Sequence, residues 1–466
     1  MRWTRPVREA GATVSVRRAR LSVMVTISAA PDTPSTALLT DHYELTMLQA
    51  ALRSGAAHRR SVFEVFARRL PDGRRYGVVA GTGRVLDAIA AFRFEDAQLA
   101  YLERAGVVDR PTLDWLAGYR FRGTVRGYAE GECYLPQSPI LTVEGTFAEA
   151  VLLETVVLSV MNHDSAIAAA ASRMVSAAAG RPCIEMGSRR THEAAAVSSA
   201  RAAYLVGFAS TSNLDAGFRY GIPTQGTAAH AFTLVHDSER QAFQTQVATL
   251  GKGTTLLVDT YDVAEAVRVA VELAGPDLGA VRLDSGDLLW MAHRVRKQLN
   301  ELGAAHTRIV VTSDLDEYAI AALAVAPVDA YGVGTQLVTG SGAPTASMVY
   351  KLVARTESDA PDAPLVSVAK RSPDKPSRGG LKYAYRRIDA DGVATEEVVG
   401  IGAPPPDVAD RGRNLIQDFV VDGEPVQRPS LDEGRALHRR SLKELPLSVT
   451  QLSRGEPVIP TVYENA

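Results

Sequence analysis

From residue 147 onward the chain repeats one pattern: a short apolar run, a cluster of polar residues, then a longer, often Ala-rich run. Strands are expected at 207–209, 224–226, 255–258, 280–283, 309–312 and 330–333. Helices are expected at 147–161, 165–179, 192–206, 262–273, 288–302 and 315–325. Strand, loop and helix alternating at roughly twenty-five to fifty residues per unit confine this segment to a parallel α/β sheet or barrel. Polar residues gather directly after the strands, as Asp259, Asp284-Ser285-Gly286-Asp287, Ser313-Asp314 and Gly334-Thr335. A barrel and an open doubly wound sheet both bind ligands at that edge, so the pattern alone does not separate them.

The flanking segments read differently. Thr40-Asp41 can cap a helix through Leu45, Met47, Leu48 and Leu52 that ends at Gly55. Alternation at 61–66, short strands within 76–81 and 120–144, and a helix at 85–92 give a mixed α/β domain over 37–150. The repeating segment fills 151–350. Strand periodicity returns at 351–354, 365–369 and 381–388, with a charged helix at 430–442, so 351–466 is expected to be β-rich and to pack with the N-terminal domain. Residues 1–36 stand apart: six arginines face the single acid Glu9 before residue 24, with neither an apolar core nor a cleavage site. A solvated, poorly ordered leader is expected there, not a targeting segment.

Composition removes several function classes. Lys plus Arg number 51 against 53 acids, a net charge of −2, which argues against coating nucleic acid or an anionic membrane. The most apolar stretch, 151–161, carries Glu154, so no membrane span is indicated. Two cysteines, Cys133 and Cys183, make neither a disulfide framework nor a four-ligand zinc site. A reduced, cytoplasmic enzyme is the expectation.

Three loops carry residues suited to chemistry. Val281-Arg282-Leu283-Asp284-Ser285-Gly286-Asp287 delivers a guanidinium and a carboxylate to one rim. The carboxylate can accept from ribose hydroxyls and the arginine can stack on a ring or pair with an anion, but Asp284 or Ser285 would serve equally as a helix N-cap. Gly332-Val333-Gly334-Thr335 can cradle a phosphate on backbone N–H groups, although glycine also ends strands for steric reasons alone. Gly226-Thr227-Ala228-Ala229-His230 places one imidazole on the same rim. An isolated histidine is more often structural, yet a neutral ring nitrogen can take up a phosphoryl group. Arg189-Arg190 would add anion-binding forks if folded close by.

In order along the chain, Thr40–Met47, Phe63-Glu64-Val65-Phe66, Glu185-Met186-Gly187-Ser188-Arg189-Arg190, the Gly226 to His230 loop, Arg282 to Asp287, Ser313-Asp314-Leu315-Asp316-Glu317 and Gly332 to Thr335 resemble nicotinate phosphoribosyltransferases, type II phosphoribosyltransferases of NAD salvage. The likeness runs from about residue 37 to the C-terminus and leaves the leader out. It implies an irregular (β/α) barrel completed by the two flanking regions. It also implies transfer of phosphoribose from phosphoribosyl pyrophosphate to nicotinate, coupled to ATP through a phosphohistidine, with Mg²⁺ accompanying the phosphates and no tightly bound organic cofactor. By position His230 would be phosphorylated. Arg282 would meet nicotinate beside Thr227, Asp284 and Asp314 would hold ribose hydroxyls next to Ser285, and Gly332, Gly334 and Thr335 would hold the 5′-phosphate. Arg189 would bind a substrate anion, and Tyr43 would cover the site of a second copy in a homodimer. Enzymes of this fold that use nicotinamide carry an aspartate where Ser212 stands, so the hydroxyl favours the acid. Met186 occupies a position that is often aromatic, which implies a thioether contact on the pyridine. Nicotinamide- or quinolinate-specific relatives, and a non-catalytic pyridine-nucleotide sensor, are the alternatives.

Overall fold

The computed structural model describes residues 34–360, 362–370, 377–406, 412–428 and 430–464. All but the last three residues of the expected leader lie outside these. Asp41 caps the helix His42–Ser54 by accepting from the His42 N–H, and Gly55 closes it at φ 78°, where the left-handed backbone favours glycine. The strand Arg60–Ala67 is buried at every residue but the first. It lies inside a seven-stranded antiparallel sheet, between Met348–Thr356 and Leu141–Thr146. Thr124–Gly127 and Gln417–Val421 extend that sheet, so strands from both ends of the chain share it. Phe63 stacks on Tyr350 with centroids 4.9 Å apart, and the buried Lys382 ammonium donates to Glu64 at 2.7 Å.

The repeating segment forms a second, wholly parallel sheet of six strands. Their order is Ser210–Thr211, Cys183–Glu185, Ala330–Val333, Arg308–Ser313, Ala280–Leu283 and Thr255–Leu257. Alternation sorts the side chains: Val281, Leu283, Ile309, Val311, Tyr331 and Val333 enter the main core with the surrounding helices, while Ala280, Val310 and Ala330 pack together on the opposite face. Several expectations need correction. Cys183–Glu185 is a strand that had not been foreseen. The strand expected at 207–209 falls at Ser210–Thr211, and that at 224–226 shrinks to an isolated bridge from Thr224 to Thr211. The helices expected at 147–161 and 165–179 are instead Phe147–Val151 and one continuous helix, Glu154–Ala177. The polar triplet Asn162-His163-Asp164 does not break that helix. Asn162 accepts from the Met348 N–H, and the buried Asp164 pairs with His163 and with Arg84 at 2.8 Å, so these groups tie the helix to its neighbours.

Cys133 and Cys183 are buried and unpaired, and burial pushes both thiols up to about 12, which keeps them protonated at neutral pH. No helix among the described residues is long and apolar enough to cross a membrane.

The helix Leu431–Glu444 inserts His438 between the two parts of the fold. Its Nδ1 faces the Gly131 carbonyl at 3.0 Å and its Nε2 the Ser172 hydroxyl at 2.9 Å, which in turn meets the Tyr76 hydroxyl at 2.8 Å. A carbonyl can only accept, so the neutral ring carries its proton on Nδ1. Burial lowers this imidazole to about 4, below its ordinary 6.5. Between those values the unfolded chain binds the extra proton, so stability falls as pH drops from 6.5 towards 4 and levels off below. This group alone is expected to cost about 3 kcal/mol across that window. The check is thermal melts at stepped pH, in which His438→Gln should flatten the slope.

Candidate active site at the ends of the parallel strands

The strand Ala280–Leu283 buries Val281 and Leu283 among the helices, which turns Arg282 to the other face. There all three of its guanidinium nitrogens are hydrogen-bonded. Nη2 donates to Asp284 Oδ1 at 2.8 Å, Nη1 to the Thr227 hydroxyl at 2.9 Å and Nε to the Thr312 hydroxyl at 2.9 Å. The Thr312 hydroxyl donates onward to the same Asp284 oxygen. Burial opposes ionisation of Asp284, but the Thr312 hydrogen bond, then the Arg282 hydrogen bond and charge, outweigh it and hold the carboxyl below its usual range. The N-cap of the following helix, Leu288–Glu301, is Asp287, which accepts from the Trp290 N–H at 3.1 Å. Asp284 and Ser285 are therefore not the cap. The Asp284 N–H and the Ser285 hydroxyl instead donate to Asp259 Oδ2, at 2.9 and 2.7 Å.

His230 opens the short helix His230–Leu234, with Nδ1 3.1 Å from the Thr260 hydroxyl. Its Nε2 lies 3.9 Å from Asp259 Oδ1, a buried carboxylate oxygen with no hydrogen-bond partner of its own. Asp259 thus links the imidazole to the Asp284-Ser285 turn. From sequence it is only one of several acids that follow strands, and no local signal distinguishes it. Thr312 was missed for the same reason, because its partners lie on other strands.

Two joined cavities enclose these groups. One, of about 220 Å³, is lined by Arg189, Arg190, Arg282, Asp284, Thr312, Asp314, Gly332, Gly334 and Thr335. The other, of about 450 Å³, is lined by Ser212, Thr227, His230 and the loop between the last two. Met186, Arg189, Arg282 and Asp284 belong to both. Three guanidinium groups against two carboxylates make the first cavity suited to a phosphorylated ligand, and the second presents a hydroxyl, an imidazole and a thioether to a flat one. Ten of the twelve residues expected at the site line these cavities. Ser285 adjoins them through Asp259. Tyr43 does not reach them: it stands 43% exposed on the helix His42–Ser54, its hydroxyl pushed up to about 12 by burial and by Glu154, Glu44 and Asp41.

A family model for the nicotinate phosphoribosyltransferase N-terminal domain matches residues 38–162. A nicotinate phosphoribosyltransferase of Mycobacterium tuberculosis is 58% identical over 432 residues, covering 91% of this chain and 94% of its own length. One of Bacillus subtilis is 37% identical over 366 residues, covering 76% and 74%. The crystal structure of human nicotinic acid phosphoribosyltransferase superposes with a TM-score of 0.76 at 27% identity, over 92% of this chain and 98% of that one. On this extent of identity, spanning both the flanking sheet and the site loops, the chain belongs to the nicotinate phosphoribosyltransferase family.

Proposed function

We propose that this chain joins the ring nitrogen of nicotinate to the anomeric carbon of phosphoribosyl pyrophosphate. The products are nicotinate mononucleotide and pyrophosphate, in the salvage of NAD, and ATP hydrolysis is coupled through a phosphohistidine at His230. The observation that carries the reading is the convergence of His230, the Arg282–Asp284 pair and the Gly332 to Thr335 loop on one pair of joined cavities. A further, partly open space of about 420 Å³, lined by Ile184, Thr224, Thr255, Ala280, Val310 and Ala330, supports reading the parallel sheet as the wall of an irregular barrel. The barrel would form the body of a catalytic domain over 151–350.

Bond breaking at the anomeric carbon develops positive charge on the sugar while pyrophosphate leaves with the bonding electrons. The protein's part is to fix both reactants and stabilise those charges. Asp284 and Asp314 accept from ribose hydroxyls, backbone amides around Gly332 and Gly334 with the Thr335 hydroxyl meet the 5′-phosphate, and Arg189 pairs with a substrate anion. Arg282 faces nicotinate. One nitrogen of His230 accepts the terminal phosphoryl group of ATP as ADP departs, and water later cleaves that bond. Asp259 orients the ring and offsets its charge. Mg²⁺ would act here as the companion of the substrate phosphates, retaining most of its waters. Tyr43, exposed and outside its own chain's cavity, suits the site of a second copy in a cytoplasmic homodimer.

The test supplies Mg²⁺, ATP and phosphoribosyl pyrophosphate with either pyridine and identifies the nucleotide formed. Nicotinate mononucleotide with nicotinate-dependent ADP release is expected. Nicotinamide mononucleotide alone, or tight nucleotide binding without pyrophosphate, would overturn the reading. Ser212 is exposed at the cavity edge, so Ser212→Asp should leave the melting temperature within about a degree or two. A carboxylate there repels that of nicotinate, and kcat/KM for nicotinate should fall roughly a hundredfold while any use of nicotinamide rises.

A further inference from the structure

Thr312 lies outside the residues foreseen at the site, and two independent observations fix its side chain. It sits on the strand Arg308–Ser313, 4% exposed, opposite Gly332 on the next strand. Its methyl group occupies the space above Gly332: a Cβ built there would fall 2.4 Å from Thr312 Cγ2 and 2.8 Å from Met186 Sδ. Only glycine admits both neighbours, so Gly332 has a packing role that is separate from any phosphate contact. The β-branched side chain, stiff at χ1, is thereby held in one orientation.

The second observation is the direction of the hydrogen bonds. The hydroxyl accepts from Arg282 Nε at 2.9 Å and donates to Asp284 Oδ1. A guanidinium can only donate and a carboxylate can only accept, so this relay runs one way. We propose that Thr312 is a positioning residue of the transfer reaction. Its methyl, seated over Gly332, aims a hydroxyl that locks Arg282 and Asp284 into the single geometry that nicotinate and the ribose meet. The inference rests on the function proposed above, and it assigns Thr312 no contact with the reacting atoms. A threonine placed only for core packing would leave the ionisation of Asp284 untouched, which is what the test exploits.

Thr312→Val keeps the shape and removes the hydroxyl; Thr312→Ser keeps the hydroxyl and removes the methyl. For the valine variant kcat/KM is expected to fall roughly ten- to a hundredfold, as for loss of a hydrogen bond to a charged group. Its acid limb should move to higher pH, because Asp284 loses a donor that favours the ionised form. The serine variant keeps the hydroxyl but loses the methyl that aims it, so its rate should lie between the wild type and the valine variant, and its acid limb should move less than that of the valine variant. Wild-type kinetics in the valine variant, or equal losses in both variants with the limb unmoved, would overturn the proposal. Should the wild-type chain form no nucleotide at all, the functional reading falls by itself. Thr312 is then judged from a substrate-free crystal structure of Thr312→Val, where Arg282 released from Asp284 supports the role and an unchanged pair refutes it.

Discussion

His230→Ala is expected to abolish ATP-derived phosphoenzyme and nicotinate-dependent ADP release, by at least about a thousandfold, while leaving the fold intact. The chemical half of this expectation follows from what surrounds the ring. Among the described residues no other imidazole lines either cavity. His236, on the next turn of chain, is turned away with Nδ1 on the Phe232 carbonyl at 2.7 Å. The structural half follows from how little the ring holds together. It is 42% exposed and makes one side-chain hydrogen bond, to Thr260 at 3.1 Å. Removing such a group changes stability by about 1 kcal/mol or less. Asp259 keeps its bonds from the Asp284 N–H and the Ser285 hydroxyl, so the neighbouring turn stays in place. Radiolabel from γ-phosphate-labelled ATP retained on the denatured protein, read beside a melt, makes the check. Label that persists in the variant would move the phosphoryl acceptor elsewhere and sink the role of His230.

The parts of this molecule that were legible from sequence share one property: their signal is local. The Ala280–Leu283 strand and its Asp284-Ser285-Gly286-Asp287 turn stand out because a buried run meets a polar cluster within eight residues. The same holds for the charged helix expected at 430–442, which is found at Leu431–Glu444. Misses arise where the deciding partner is distant. Asn162 and Asp164 read as a helix break because their partners, Met348 and Arg84, lie far along the chain. Cys183–Glu185 is only three residues long, and its Glu185 is fully buried against the Thr211 hydroxyl and the Gly187 N–H, so it carries no strand-like alternation. Asp259 and Thr312 belong to the site through partners 25 to 30 residues away. Periodicity shows where strands end; it does not show which strand ends become neighbours.

Arg282 is the residue whose loss should reach furthest, because it serves the site and holds it together. Arg282→Ala removes three hydrogen-bonded directions at once and leaves the Thr312 hydroxyl without its guanidinium and Asp284 with one fewer donor. Breaking a buried ion pair costs about 3–5 kcal/mol, but the Asp284 side chain is 31% exposed and water can replace part of what is lost. A destabilisation of about 2 kcal/mol is therefore expected. Activity should fall much further, by about a thousandfold in kcat/KM, since a preorganised cation facing the reacting anions is removed as well. Arg282→Lys separates the two effects. A lysine restores the charge and part of the stability, but one ammonium on a flexible stem cannot hold Thr227, Thr312 and Asp284 in the plane of a guanidinium. Activity in the lysine variant should thus remain at least about a hundredfold down while its melting temperature recovers. In both variants the Asp284 carboxyl should rise towards its ordinary range, and the acid limb of the pH profile should rise with it. A lysine variant with full activity would show that charge alone suffices, and the planar fork that ties two neighbouring strands and the Gly226 to His230 loop into one site would lose its meaning.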